Sequence, residues 1–314
     1  MPLISVVIPV YNRPDDLRRA LDSLRAQTFL AFEVVVCDDG STADIRSVVE
    51  GFSSTLSVRY LRIDNSGGPA RPRNHAIQHT SGEWVAFLDS DDWWDPDRLA
   101  QVSVHLDDDI DLLYHPLRLI GPKGLSERGG SRTVGMPIVG DALRFMAVVD
   151  NPIPNSAAVV RRECLERIAG FCEERELIAY EDFDAWLRLA EMGARFRFLP
   201  KALGYYWLSI DAISSVSPEK ISRQMCLYRR HAPHFVGFER EALAKQHYTL
   251  ASLWRQVVDG ELAALEHFSA ARGVVGRRRR LGRFAQMAKI IFRKPTVFSG
   301  YFFTRIKRPP PRPY

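Results

Sequence analysis

Four short, mostly apolar runs, at residues 3–10 (LISVVIPV), 32–37 (FEVVVC), 58–63 (VRYLRI) and 83–88 (EWVAFL), constrain the fold more than any other feature. The first is apolar or β-branched at nearly every position, as expected of a strand covered on both faces in a parallel sheet. Between the runs the apolar residues change period. After Asn12 and Pro14, Leu17, Ala20, Leu21 and Leu24 follow the spacing of a helix with one buried face. Residues 44–52 and 70–79 predict two more helices. Strands alternating with amphipathic helices predict right-handed βαβ units, and so an α/β fold built on a doubly wound, mainly parallel sheet.

Beyond Pro96 the pattern loosens. Residues 96–106 predict a helix, 111–117 a strand, 121–135 a Gly-rich hairpin or loop, 156–160 a strand and 183–192 a helix. From residue 218 the sequence is helical, with Tyr228, Leu243, Tyr248, Leu253 and Trp254 expected to pack.

Charge is unevenly spread. The chain carries +5 over 314 residues, yet residues 277–314 hold twelve Lys or Arg and no Asp or Glu, which leaves −7 on the rest. Within that segment Leu281, Phe284, Ala285, Ala288, Ile291 and Phe292 share a helical face. A basic amphipathic helix of this kind suits an anionic membrane surface; a solvated helix packed on the main body is the plainer alternative. Nucleic acid is disfavoured as a partner, because the acidic remainder repels the same phosphates. No apolar stretch approaches twenty residues, which argues against a membrane-spanning synthase. With no signal-peptide pattern at the start and four cysteines (Cys37, Cys164, Cys172, Cys226) lacking metal-type spacing, a cytoplasmic location is expected, peripheral on the inner membrane face if the basic segment binds lipid.

Ligands of open α/β sheets settle at the carboxyl ends of strands, and here those ends are acidic. The first run is followed by Tyr11 and Asn12, the second by Asp38, Asp39, Gly40 and Ser41, the third by Asp64, Asn65, Gly67 and Gly68, and the fourth by Asp89, Ser90, Asp91 and Asp92. No Gly-rich turn follows the first run, so neither a P-loop nor a dinucleotide-binding fingerprint is present. Asp89-Ser90-Asp91 offers a different grip on a diphosphate. If the backbone is extended there, both carboxylates face one side and present hard oxygens to Mg²⁺ or Mn²⁺. The alternative is that Asp91, Asp92 and Asp95 only cap the next helix.

Together, Val7-Ile8-Pro9-Val10-Tyr11-Asn12, Cys37-Asp38-Asp39-Gly40-Ser41-Thr42, Gly67-Gly68 with Arg73-Asn74, and Phe87-Leu88-Asp89-Ser90-Asp91-Asp92 resemble the successive signatures of the family 2 glycosyltransferases, over residues 3 to about 215. The resemblance implies a GT-A fold and inverting transfer from a nucleotide-sugar, a UDP-sugar in type, to an acceptor hydroxyl in cell-surface glycan assembly. It implies that Pro9, Tyr11 and Asp39 line the nucleoside pocket, that Arg71 or Arg73 lies near base or phosphates, and that Asp89 and Asp91 meet ribose and metal. Asn12, Asn65 and Ser90, at the same strand ends, join the nucleotide-binding set. Tyr180-Glu181-Asp182-Phe183-Asp184-Ala185-Trp186 matches the family's acidic pair before a Trp-bearing helix, which makes Asp182 the expected base and Glu181 the fallback; a helix cap is the competing reading.

On this reading residues 1–215 are the catalytic domain, with a nucleotide-binding half (1–95) and an acceptor half (96–215). Residues 216–276 form a helical extension, and 277–314 the basic segment. Relatives often carry Arg and His after the aromatic run. Here Tyr205-Tyr206-Trp207 leads into Leu208-Ser209-Ile210-Asp211, so Asp211 is the candidate third metal ligand beside Asp91 and Asp89. The expected partners are the nucleotide-sugar donor and a glycan or lipid-linked acceptor. Nucleotidyl transfer lacks its Gly-rich basic loop, whereas a non-catalytic sugar-nucleotide-binding subunit shares most of these residues.

Overall fold

The structure is a computed structural model and describes residues 3–121, 133–208, 217–256, 266, 267, 270 and 271. Asp211 and the basic segment 277–314 lie outside the described residues, as does most of the Gly-rich stretch. In chain order the elements are β1 (Ile4–Val10), α1 (Pro14–Arg25), β2 (Phe32–Asp38), α2 (Ile45–Glu50), β3 (Val58–Arg62), α3 (Ala70–Ile77), β4 (Trp84–Phe87), β5 (Trp93–Trp94), α4 (Arg98–Ser103), β6 (Leu112–Tyr114), β7 (Leu117–Ile120), β8 (Thr133–Val134), α5 (Ala142–Val148), β9 (Val159–Arg161), α6 (Arg162–Arg167), α7 (Glu181–Glu191), β10 (Phe196–Phe198), β11 (Gly204–Trp207), α8 (Pro218–His231) and α9 (Glu239–Trp254).

The main sheet has the order β10-β6-β9-β4-β1-β2-β3, and β4, β1, β2 and β3 run parallel as the alternation requires. Successive residues of β1 point to opposite faces. Ile4, Val6, Ile8 and Val10 pack with Leu17, Leu21 and Leu24 of α1 and Val48 of α2; Val7 faces the layer that holds Ala76, Leu165 and Trp186. The four predicted α1 residues are fully buried, and truncating any of its leucines to Ala would cost roughly 2–5 kcal/mol. β9 is the exception to the parallel pattern. It runs antiparallel to both β4 and β6, which places its beginning, not its end, at the carboxyl edge of β4.

A second sheet, β5-β11-β7-β8, lies beyond that edge. The expected strand 111–117 is instead two strands in two sheets, parted at His115-Pro116. His115 is buried, its Nδ1 donating to the Pro116 carbonyl and its Nε2 accepting from Arg98. Both hydrogen bonds fit a neutral ring, and burial, reinforced by the Arg98 charge, pushes its pKa down to about 3. Two further expectations are corrected. The helix expected from residue 96 starts at Arg98, and Tyr248, expected to pack, is 43% exposed.

α8 and α9 are built into the body. Leu227 joins the core around Trp186, while Phe235, Phe238 and Ala242 pack on Val148 of α5. A polar lock reinforces this contact: His231, at the end of α8, bonds Asp184 and Glu191 of α7. Among the described residues no helix is long and apolar enough to cross a membrane. All four cysteines are unpaired, and burial pushes the Cys37 thiol up to about 12.

Candidate active site

The strand order reverses between β2-β1 and β4, the switch point where ligands of such sheets bind. β1 outruns β4: their pairing ends at Val7, and Ile8, Pro9 and Val10 continue alone on that side. Pro9 therefore lacks its N–H where no ladder partner remains. Tyr11 follows, 48% exposed. Asn12 turns the chain at φ 53°, a left-handed conformation that Asn tolerates, and its Oδ1 accepts from the Thr42 and Ala43 backbone N–H groups. Its side chain thus ties the β1 and β2 loops together instead of projecting toward a ligand.

Of the two aspartates after β2, Asp38 is structural, accepting from Ser41 N–H, Tyr60 hydroxyl and Arg62. Asp39 reaches across to the loop after β3, where its Oδ1 accepts from the Ser66 backbone N–H at 2.9 Å and the Ser66 hydroxyl at 2.8 Å. Burial raises its carboxyl above the usual range, against hydrogen bonds from Ser66 and Gly67 and the charge of Arg71. Asn65 donates to the Asp39 carbonyl. Gly40, at φ +76°, makes this approach possible, since a Cβ there would sit 2.6 Å from the Asn65 nitrogen. Asn65, Ser66 and Arg71 line a cavity of about 280 Å³ together with Arg175, Ile178 and Glu181.

Asp89-Ser90-Asp91 departs from expectation. The Asp92 N–H donates to the Asp89 carbonyl, so the segment is a turn and not extended backbone. The capping alternative does not hold either: α4 begins after Asp97, Asp92 accepts from Trp207 N–H, and Asp95 pairs with Arg118. The turn still gathers the two carboxylates within electrostatic reach; burial first, then the Asp89 charge, raises the Asp91 pKa. Asp91 ion-pairs with Arg13. Asp89 Oδ1 accepts from Arg73 at 2.6 Å and Asn155 at 2.9 Å, and the Asp89 N–H donates to Ser156. Among the described residues no group of three or more His, Cys, Asp or Glu is arranged to hold a metal. Two carboxylates in a half-buried turn fit a hard divalent cation that completes its shell with substrate phosphates and water.

Arg73 is the hub. Only 3% exposed, it bonds Glu181 Oε1 at 2.7 Å with one nitrogen and Asp89 with the other. Burial would lower its pKa, but the two carboxylates raise it instead, so its charge is secure. Arg71, not Arg73, is the arginine facing the first cavity. Glu181 is thus committed to Arg73, and it does not cap α7, whose N-cap is Tyr180 without a side-chain bond. Asp182 lies on the wall of a second cavity, of about 330 Å³, which Asp89 and Asn155 also line. Its pKa is pushed up to about 7 by burial and then by the Glu181 charge, against Arg73 and the Phe183 N–H. Sequence reasoning missed Ser66, Asn155 and Arg13. Ser66 lay in view between Asn65 and Gly67, but Asn155 and Arg13 had no periodic or spacing signal.

These features belong to a known class. Solved glycosyltransferases share the fold: Staphylococcus aureus TarS 1–349 in complex with UDP-GlcNAc aligns at TM-score 0.61 and 24% identity, covering 86% of this chain and 81% of that one. The mannosyltransferase PcManGT from Pyrobaculum calidifontis, in complex with GDP-Man and Mn²⁺, aligns at TM-score 0.58 and 21% identity, covering 94% and 82%. The fold is therefore GT-A. The profile of "Glycosyl transferase family 2" matches residues 5–168, and the chain belongs to that family. The poly(ribitol-phosphate) beta-N-acetylglucosaminyltransferase TarS of Staphylococcus aureus is 36% identical over 132 residues, 41% of this chain but 22% of TarS. The UDP-Glc:alpha-D-GlcNAc-diphosphoundecaprenol beta-1,3-glucosyltransferase WfgD of Escherichia coli is 34% identical over 119 residues, 38% of this chain and 47% of WfgD. The chain thus spans between about a fifth and half of the length of these relatives.

Proposed function

We propose that the protein is an inverting, divalent-metal-dependent glycosyltransferase that moves a sugar from a nucleotide-sugar, of the UDP type, to an acceptor hydroxyl in cell-surface glycan assembly. The observation that carries this reading is the placement of Asp182. Its carboxyl stands on the second cavity with a pKa near neutrality, while its neighbour Glu181 is pinned through Arg73 to the carboxylate turn after β4. A general base is most effective when its pKa lies close to the working pH. The named activities of TarS and WfgD support the donor type and the surface-glycan context.

The nucleoside half of the donor lies at Tyr11, Asp39, Asn65 and Arg71, and the acceptor enters the second cavity. Asp182 takes the proton of the acceptor hydroxyl as its oxygen bonds to the anomeric carbon. The bond from that carbon to the diphosphate oxygen breaks on the opposite face, its electron pair leaving with the nucleoside diphosphate. One displacement inverts the configuration. Asp89 and Asp91 would hold a Mg²⁺ or Mn²⁺, which supplies positive charge for the departing diphosphate. Arg73 fixes the spacing between donor and base sides.

Asp182→Asn tests the assignment. Nucleotide binding, measured calorimetrically with UDP and Mn²⁺, is expected to persist while transfer falls by about 10²–10⁴-fold. A variant with wild-type turnover refutes Asp182 as base. Asp91→Asn is expected to weaken Mn²⁺-dependent UDP binding at least about tenfold, and unchanged binding removes Asp91 from the metal site.

A further inference from the structure

Asn74, next to Arg73 in the sequence signature, lines neither of the two cavities. It bonds instead to the segment between α6 and α7. Its Nδ2 donates to the Phe171 carbonyl at 2.8 Å and to Glu173 Oε1 at 2.8 Å, while its Oδ1 accepts from the Phe171 N–H at 2.8 Å. The side-chain amide thus pairs with both the N–H and the C=O of one residue, as a neighbouring strand would. Gly170 lets the chain come this close: its φ is +72°, and a Cβ there would stand 2.4 Å from Asn74 Oδ1.

What Asn74 holds is a wall of the first cavity. Directly after Phe171, residues Cys172, Glu173, Glu174 and Arg175 line that cavity together with Asn65 and Arg71. All four lie beyond residue 168, where the family profile ends. The same hold seats the Phe171 ring 5.4 Å from the Arg73 guanidinium and edge-on to Phe87 at 5.0 Å, so the wall and the hub share one anchor. Arg230 of α8 also reaches the wall, at Cys172 Sγ and Glu174, but with side chains 35% and 56% exposed the Arg230–Glu174 pair is open to water and holds little.

We propose that Asn74 is a positioning residue for the donor: it keeps residues 171–175 in place as a wall of the nucleotide cavity and touches no ligand itself. This inference rests on the transferase reading, which puts the nucleotide at Asn65 and Arg71. If the wall is released, the apparent affinity falls with the fraction of molecules that still have it in place. Asn74→Asp keeps the shape of the side chain but sets an oxygen where Nδ2 was, against the Phe171 carbonyl and the Glu173 carboxylate. The control is Leu24→Ala, a core truncation ten residues along α1 from Pro14 and so about 15 Å from the strand ends.

The full chain and each variant are titrated calorimetrically with UDP and Mn²⁺. Alkylation of Cys172 by N-ethylmaleimide is followed by peptide mass spectrometry, with the likewise partly buried Cys226 as reference. In Asn74→Asp, UDP binding should weaken about tenfold, the size of one lost hydrogen bond, and Cys172 should be alkylated faster; Leu24→Ala, though less stable, should bind UDP as the wild type does. Should Asn74→Asp fail to fold by circular dichroism, Gly170→Ala breaks the same contact from the other side. Unchanged UDP affinity in a folded variant, or weakened affinity with Cys172 no more reactive than in the wild type, overturns the positioning role and leaves the transferase reading standing. An equal loss in Leu24→Ala also overturns it, because general stability then accounts for the effect. Absence of UDP binding by the wild type overturns the transferase reading and the wall's role with it.

Discussion

Arg73→Met removes the single cation that two carboxylates share while keeping much of the side chain's volume. Glu181 is about as buried as Arg73, so its charge is left without a partner in the interior; Asp89, with 27% of its side chain exposed, can turn partly to water. Breaking a buried pair from one side costs roughly 3–5 kcal/mol, most of it here falling on Glu181. For a chain of this length that corresponds to a fall in melting temperature of about 5–8 °C. Replacing both partners leaves no stranded charge, so Arg73→Met/Glu181→Leu should recover at least about half of the loss. Urea titrations of the wild type, both single variants and the double variant form a closed cycle. A single-variant loss below about 1 kcal/mol, or a double variant whose loss equals the sum of the singles, refutes the hub.

Three further outcomes follow from the geometry. The rate constant kcat/KM should rise with pH through about 7 as Asp182 ionises; Glu181→Gln removes the charge that, after burial, raises that carboxyl most, so the limb should move to lower pH, and a limb that stays or rises contradicts the assignment. Burial alone would lower the His231 pKa, but hydrogen bonds to Asp184 and Glu191 outweigh it and leave it raised. Its stabilisation is therefore complete below the unfolded value of about 6.5 and lost as pH climbs through the higher folded value. The melting-temperature gap between wild type and His231→Gln should be larger at pH 6 than at pH 9, and a constant gap argues against the lock. Gly40→Ala places a methyl against Asn65 at positive φ, which should cost about 1–2 kcal/mol and weaken UDP binding; a silent substitution would show that the two loops do not need to touch.

Much of the donor side was legible because β-branched runs and helical periodicity are local signals. They located β1 to β4, and the residues after each strand then marked the crevice. Asp89 and Asp182 line one cavity, and Asp39 bonds Ser66 on the wall of the other. What local pattern misses is which side chain partners which. Arg73 and Arg71 look equivalent in the sequence, yet one is buried between carboxylates and the other faces a cavity. The Asp89–Asp91 turn is decided by one backbone hydrogen bond that no spacing reports. The run LLYHPL reads as continuous, and only the tertiary arrangement shows that His115-Pro116 carries the chain from one sheet to another. Tyr248 fits the helical stripe of α9 but lies on its exposed side.

The reversal of β9 divides labour between two parts of the chain. On the proposed function, β1 to β4 deliver their nucleotide-binding groups where they finish, so a change in those loops should disturb the nucleotide grip directly. β9 delivers Asn155 and Ser156 where it begins, and residues 133–136, Met146 and Asn151 of the stretch before it line the cavity beside Asp182. If that cavity takes the acceptor, insertions or deletions there can remodel it while the ladders of β1 to β4 keep their register, which would give one scaffold a route to new acceptors without relearning its donor.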